Sequence, residues 1–188
     1  MSADLFYFMA SLPALRLEGQ ASITCPRFLQ QCRDLLDEKI ADRLEKIFLT
    51  PDNTEPVDET VAQWYAFEAY LRNTLAELRR VRLKLPPEDT GRKSREQLYS
   101  YRKRIEDAMA LTSPLARENT LDALRFAFLE ELEVGHYFDL PKLELYFLKL
   151  LILDKRSSRK LPEGRSTFDK LLEAGFTQAN EHRIGDEI

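Results

Sequence analysis

The run from Leu143 to Leu153 is apolar throughout except for Glu144 and Lys149, and it constrains the fold more than any other part of the chain. It is far shorter than the roughly 18 to 20 apolar residues that cross a bilayer as a helix. With Asp139 available as a cap, the pattern predicts a helix from Leu140 to about Lys155 that is apolar around most of its circumference. Such a helix is stable in water only when other helices surround it. The remaining sequence must therefore supply amphipathic partners.

It does so in segments marked off by proline, glycine and hydroxyl residues. Leu5-Phe6-Tyr7-Phe8-Met9-Ala10 resembles the apolar part of a signal peptide, but it is short, follows Asp4 and has no basic residue before it, so it is read as core. Ser22-Ile23-Thr24-Cys25-Pro26 marks a helix start. Phe28, Leu29, Leu35, Leu36, Ile40, Leu44, Ile47 and Phe48 then predict one long helix to about Leu49. A turn cluster from Thr50 to Pro56 precedes a second pattern beyond Asp58, in which Val61, Trp64, Tyr65, Phe67, Leu71, Leu75 and Leu78 form the apolar face and Pro86-Pro87 the stop. A more polar helix is predicted between about Arg92 and Ala110, with Leu98, Tyr101, Ile105 and Met109 as its stripe. Ser113-Pro114 starts another that ends near Gly135, where a left-handed residue fits. A short helix between 164 and 173 precedes a polar tail from 177 to 188. No β-hairpin signal occurs.

The fold expected is all-α: a bundle of about five to seven helices in one domain over residues 1–176, with a candidate lobe boundary between 86 and 113. At 188 residues the chain has room for that core.

Residue chemistry argues against most reactions. Cys25 and Cys32 lie seven apart in a helical stretch, too far for a disulfide, and reduced thiols suit the cytosol. Two thiols and two distant histidines, His136 and His182, make no recognisable zinc pattern. Glu133 and His136 have the Glu-x-x-His spacing of di-iron bundles, but no second motif accompanies them, and Gly135 should break the helix between them. His136 is read instead as a corner residue bonded to backbone. A catalytic cysteine would need a histidine folded beside it. The phosphate-binding Gly-x-x-x-x-Gly-Lys-Ser/Thr loop is missing from the sequence. No catalytic residue, metal or cofactor is assigned.

Charge is the distinctive feature. The net value of -4 conceals three blocks: 6 basic and 12 acidic side chains over residues 1–71, 11 and 4 over 72–104, and 11 and 16 over 105–188. Arg79, Arg80, Arg82, Lys84, Arg92, Lys93, Arg95, Arg102, Lys103 and Arg104 flank Pro86-Pro87, so one helix end and the next helix start would present them together. An acidic protein partner, an anionic surface, nucleic acid and an internally paired surface are the alternatives weighed, and as a partner-binding region Arg79 to Arg104 is the first choice for the face that meets an acidic partner. Against nucleic acid stands an acidic pI of about 5.4 with no base-reading module.

Three segments carry a resemblance: Tyr7-Phe8-Met9-Ala10-Ser11-Leu12-Pro13, Tyr70-Leu71-Arg72-Asn73-Thr74-Leu75-Ala76-Glu77-Leu78-Arg79, and Phe128 to Leu140 with its Gly135-His136-Tyr137-Phe138-Asp139-Leu140 block, continuing through Tyr146 to Leu153. They resemble an uncharacterised bacterial family whose genes typically accompany those of V/A-type ATP synthases. Its members look like shortened relatives of the all-helical stalk-to-ring coupling component of V/A-type ATPases, which sits on the membrane ring and receives the central stalk. The resemblance implies a non-catalytic coupler between central stalk and membrane ring, or an assembly factor. It would be cytoplasmic, peripheral on the inner membrane face through the complex, with other V/A-type ATPase components as partners. Arg72, Asn73, Gly135, His136, Tyr137, Phe138 and Asp139 match the family pattern, and the resemblance gives them structural roles.

Overall fold

In a computed structural model, the residues described are 3–19, 21–49, 59–86, 99–159 and Ser166. The fold is all-α, with seven helices and no strand among the described residues: α1 (Ala3–Ser11), α2 (Cys25–Leu35), α3 (Glu38–Leu49), α4 (Glu59–Arg82), α5 (Tyr99–Ala110), α6 (Pro114–Leu132) and α7 (Leu140–Ser157).

Helix α7 is the centre that its sequence demands. Leu143, Leu145, Phe147 and Leu150 are fully buried, and both charges that interrupt the apolar run, Glu144 and Lys149, are buried with them. Each is compensated. Arg43 of α3 pairs with Glu144, and Lys149 pairs with Glu133 while its ammonium sits 5.0 Å from the centre of the Phe126 ring. Around this helix Phe28 of α2 stacks on Phe147 with centroids 5.4 Å apart, Phe8 of α1 packs on Phe28, and Phe48 of α3 reaches Phe147. A second aromatic centre joins α4, α5 and α6: Phe67 stacks on Phe128 at 4.1 Å, and Tyr101 meets both edge-on. Both centres belong to one continuous apolar core. On the flank of α4 and α6, Arg125 bridges Glu68 at 2.6 Å and the buried Asp122 at 3.1 Å.

The expected long helix ending at Leu49 is in fact two. Leu36 is extended, and Asp37 starts α3, its carboxylate accepting the Lys39 N–H at 3.0 Å. The helices fold back, so that Arg33 and Glu45 pair side by side. Other boundaries fall where the caps place them. Ser113 accepts the Ala116 N–H at the start of α6, and Asp139 accepts the Lys142 N–H at the start of α7. Gly135 sits between them at φ +92°, in a turn closed by the His136 N–H on the Glu133 carbonyl.

Helix α4 ends before its prolines. Lys84 takes the left-handed conformation at φ 55°, the Leu85 N–H bonds the Arg80 carbonyl and the Lys84 N–H bonds the Val81 carbonyl. This is a Schellman motif with lysine where glycine is the usual choice.

The chain divides into two compact units, Met1–Asp154 and Lys155–Ile188. In the second, Ser158 donates to the Lys155 carbonyl at 2.7 Å. The turn cluster 50–56, Pro87, Arg92, Lys93, Arg95, Leu98, the tail 177–188 and, Ser166 apart, the expected helix at 164–173 lie outside the described residues.

Candidate functional site

The basic segment separates into two parts of different character. On α5, Arg102 makes two hydrogen bonds to Glu77 of α4, at 2.8 and 3.2 Å, and a third to Glu106 at 3.1 Å. Its guanidinium is held charged, chiefly by the hydrogen bond to Glu77. Lys103 pairs with Asp107 at 2.7 Å, and Arg104 lies over the Tyr101 ring at 5.3 Å. Arg102 and Lys103 are thus neutralised within the fold, while Arg104 keeps its charge over an aromatic face. The other half lies at the end of α4. Arg80 donates to the Pro86 carbonyl and ties the tip together. Among the described residues, Arg79, Arg82 and Lys84 are exposed with no ion pair. Between them stand Val81, Leu83 and Leu85, 71%, 67% and 52% exposed. Sequence reasoning found the cations but missed these aliphatic side chains; their alternation with arginine and lysine from 79 to 85 was the available signal.

A second surface forms at the α6–α7 corner. Phe6 of α1 meets Phe138 with ring centroids 4.5 Å apart and Tyr7 at 5.6 Å. Tyr137 is 74% and Val134 82% exposed in the same turn. In that turn His136 Nδ1 lies 2.6 Å from the Asp139 carboxylate, so this histidine's ring bonds a side chain and not the backbone that its corner position suggested. The Tyr146 hydroxyl donates to the Pro13 carbonyl at 3.0 Å, fastening the α1–α2 connector to α7. Two segments far apart in sequence thus expose aromatic surface at one corner, and aromatic residues are enriched in binding hot spots. The remaining matching residues lie on α4: Arg72 is exposed, with Nε 3.4 Å from the Glu68 carbonyl, and Asn73 is half-buried.

The candidate metal ligand Glu133 is occupied. Its Oε2 receives Lys142 at 2.9 Å and Lys149 at 2.8 Å, while His136 turns to Asp139. Among the described residues no three metal-binding side chains converge. The thiols are both free and buried. Burial pushes Cys25 up to about 12, helped by the adjacent Asp154 carboxylate, and burial alone pushes Cys32 up to about 12. A protonated, buried thiol is the opposite of an activated nucleophile.

The molecule is therefore an all-helical bundle whose distinctive features are surfaces: an aromatic corner and a cationic, aliphatic helix tip. No family model, curated protein or solved structure matches the chain. No helix among the described residues is long and apolar enough to cross a membrane.

Proposed function

We propose that the chain is a non-catalytic interaction component or assembly factor of a bacterial V/A-type ATPase, acting between central stalk and membrane ring. The observation that carries an interaction role is the meeting of Phe6, with Tyr7 beside it, and Phe138 at a corner that also exposes Val134 and Tyr137. Of the segments that carry the resemblance, Phe128 to Leu140 supplies Val134, Tyr137 and Phe138 to this corner, and Tyr7 to Pro13 begins one residue after Phe6. Conformation alone accounts for Gly135 and a helix cap for Asp139, but neither accounts for an exposed tyrosine and valine beside packed aromatic rings. A partner that covered them would remove apolar surface from water, and aromatic anchors of this kind dominate interface energetics.

The corner is the protein-binding face in this reading. The pairing of Arg102 and Lys103 on α5 with carboxylates leaves them little to contribute to a partner face and weakens the nucleic-acid reading. The test is to tag the protein in its native host and copurify the ATPase, comparing the natural chain with a Val134→Ser, Tyr137→Ser variant. Recovery of ATPase components with the natural chain and about tenfold less with the variant is expected. Absence from both the holoenzyme and its assembly intermediates would overturn the reading.

A further inference from the structure

The eight residues from Arg79 to Pro86 hold four cations, three aliphatic side chains and no carboxylate. Helix α4 ends at Arg82, and the left-handed Lys84 with the two backbone hydrogen bonds of its turn holds Leu83, Lys84 and Leu85 as an ordered projection beyond the helix. The cations and aliphatic side chains share one tip. Arg79, Arg82 and Lys84 have no ion-pair partner among the described residues, in contrast to Arg102 and Lys103 a short distance along the chain.

We infer that this tip docks on an anionic lipid bilayer, with Arg79, Arg82 and Lys84 at the headgroup phosphates and Val81, Leu83 and Leu85 at the acyl boundary. Cations at the headgroups and aliphatic side chains beneath them is the division that a membrane interface rewards. An acidic protein segment would satisfy the cations but needs no protruding aliphatic residues between them. Charge complementarity also restricts the contact to this tip, since the chain as a whole is acidic at -4 and the blocks on either side of the basic segment are repelled by an anionic surface. Such docking is independent of any role in an ATPase.

The experiment is co-sedimentation of the full chain with phosphatidylcholine vesicles that either contain or lack about one-third phosphatidylglycerol, at low and high salt. Binding to the anionic vesicles at least about tenfold stronger than to the neutral ones, and weaker at high salt, is expected. Neutralising the free cations as Arg79→Gln, Arg82→Gln and Lys84→Gln should lower partitioning by about a hundredfold. Leu83→Ser with Leu85→Ser should lower it by about tenfold while leaving the salt dependence in place. Lys103→Gln, whose parent side chain is paired, should bind as the natural protein does. Circular dichroism checks that each variant is folded. Equal binding to neutral and anionic vesicles, or no binding to either, overturns the inference. Retention on an immobilised acidic peptide without vesicle binding also overturns it and assigns the tip to a protein.

Discussion

Glu133 Oε2 sits 2.8 Å from the ammonium of Lys149, a side chain only 7% exposed in the middle of the central helix α7. The same oxygen holds Lys142 at 2.9 Å, so one carboxylate at the end of α6 is shared by two cations of α7. Removing it as Glu133→Ala leaves Lys149 buried against Phe126 without an anion, at a cost of about 2–4 kcal/mol. Lys149→Met, which keeps the volume and removes the charge, should cost less than about 1 kcal/mol because Glu133 retains Lys142. Urea unfolding of the two variants decides the matter; equal losses would show that packing, and not the buried charge, governs the site.

Lys84 occupies a conformation that side chains with a Cβ rarely adopt. Lys84→Gly relieves that strain at an exposed position, while glycine gives up some of the gain through a freer unfolded chain. The net expectation is a stabilisation of about 0.5–1 kcal/mol, or roughly 2 °C in Tm, read by calorimetry. A lower Tm would mean that the lysine side chain supports the tip in a way that its exposure does not reveal.

How much of this was legible in the sequence varies by element. Ser113-Pro114 and Asp139 were readable as helix starts because short polar side chains announce caps by type and position, and both caps form. The break at Leu36 was not. Apolar residues at mixed three, four and seven spacing continue smoothly from Phe28 to Phe48, and a hairpin of two amphipathic helices preserves that spacing nearly as well as one helix does. Only the fold shows that Arg33 and Glu45, which a continuous helix would hold about 18 Å apart, are in contact. The signal present was Asp37, a residue type that suits a helix start as well as a solvated helix face. Long-range partners were equally invisible: nothing local links Arg43 to Glu144, Phe6 to Phe138 or Arg102 to Glu77. The basic segment was legible as charge. Lys103 and Asp107 pair at a spacing of four that the sequence displays, whereas the pairing of Arg102 with Glu77 depended on the fold.

Tyr70 belongs to one of the segments that carry the resemblance, and its ring is buried on α4. Its hydroxyl is buried too, with no hydrogen-bond partner among the described residues. Such a group has lost its water without replacement, so Tyr70→Phe should be neutral to stabilising, by up to about 1 kcal/mol. Thermal unfolding measures this directly. A loss greater than about 1 kcal/mol would require a hydrogen bond in solution that the folded geometry does not contain.

The two thiols set an alkaline limit on stability. Cys25 and Cys32 have an ordinary pKa of 9.0 and are pushed to about 12 in the folded chain, by burial in both cases and additionally by Asp154 at Cys25. Both therefore stay protonated in the native protein over a range where the unfolded chain has ionised them. Below about pH 9 neither state loses its thiol protons and the contribution is intact. Between about 9 and about 12 the unfolded state alone releases protons, so stability falls with rising pH through that window. Burial acts on Tyr146 in the same direction, from 10.0 to about 12, so Tyr146→Phe separates its share. A Cys25→Ala, Cys32→Ala variant starts lower at neutral pH because small cavities are opened, but its stability should decline less steeply above about pH 9. At neutral pH the native thiols should react with an alkylating reagent only at the rate at which the chain opens, and at once when it is unfolded in urea. Ultraviolet absorbance of the thiolate follows the titration in the folded protein, and an ionisation step near 9 would show that these sites are hydrated and that the alkaline loss has another origin.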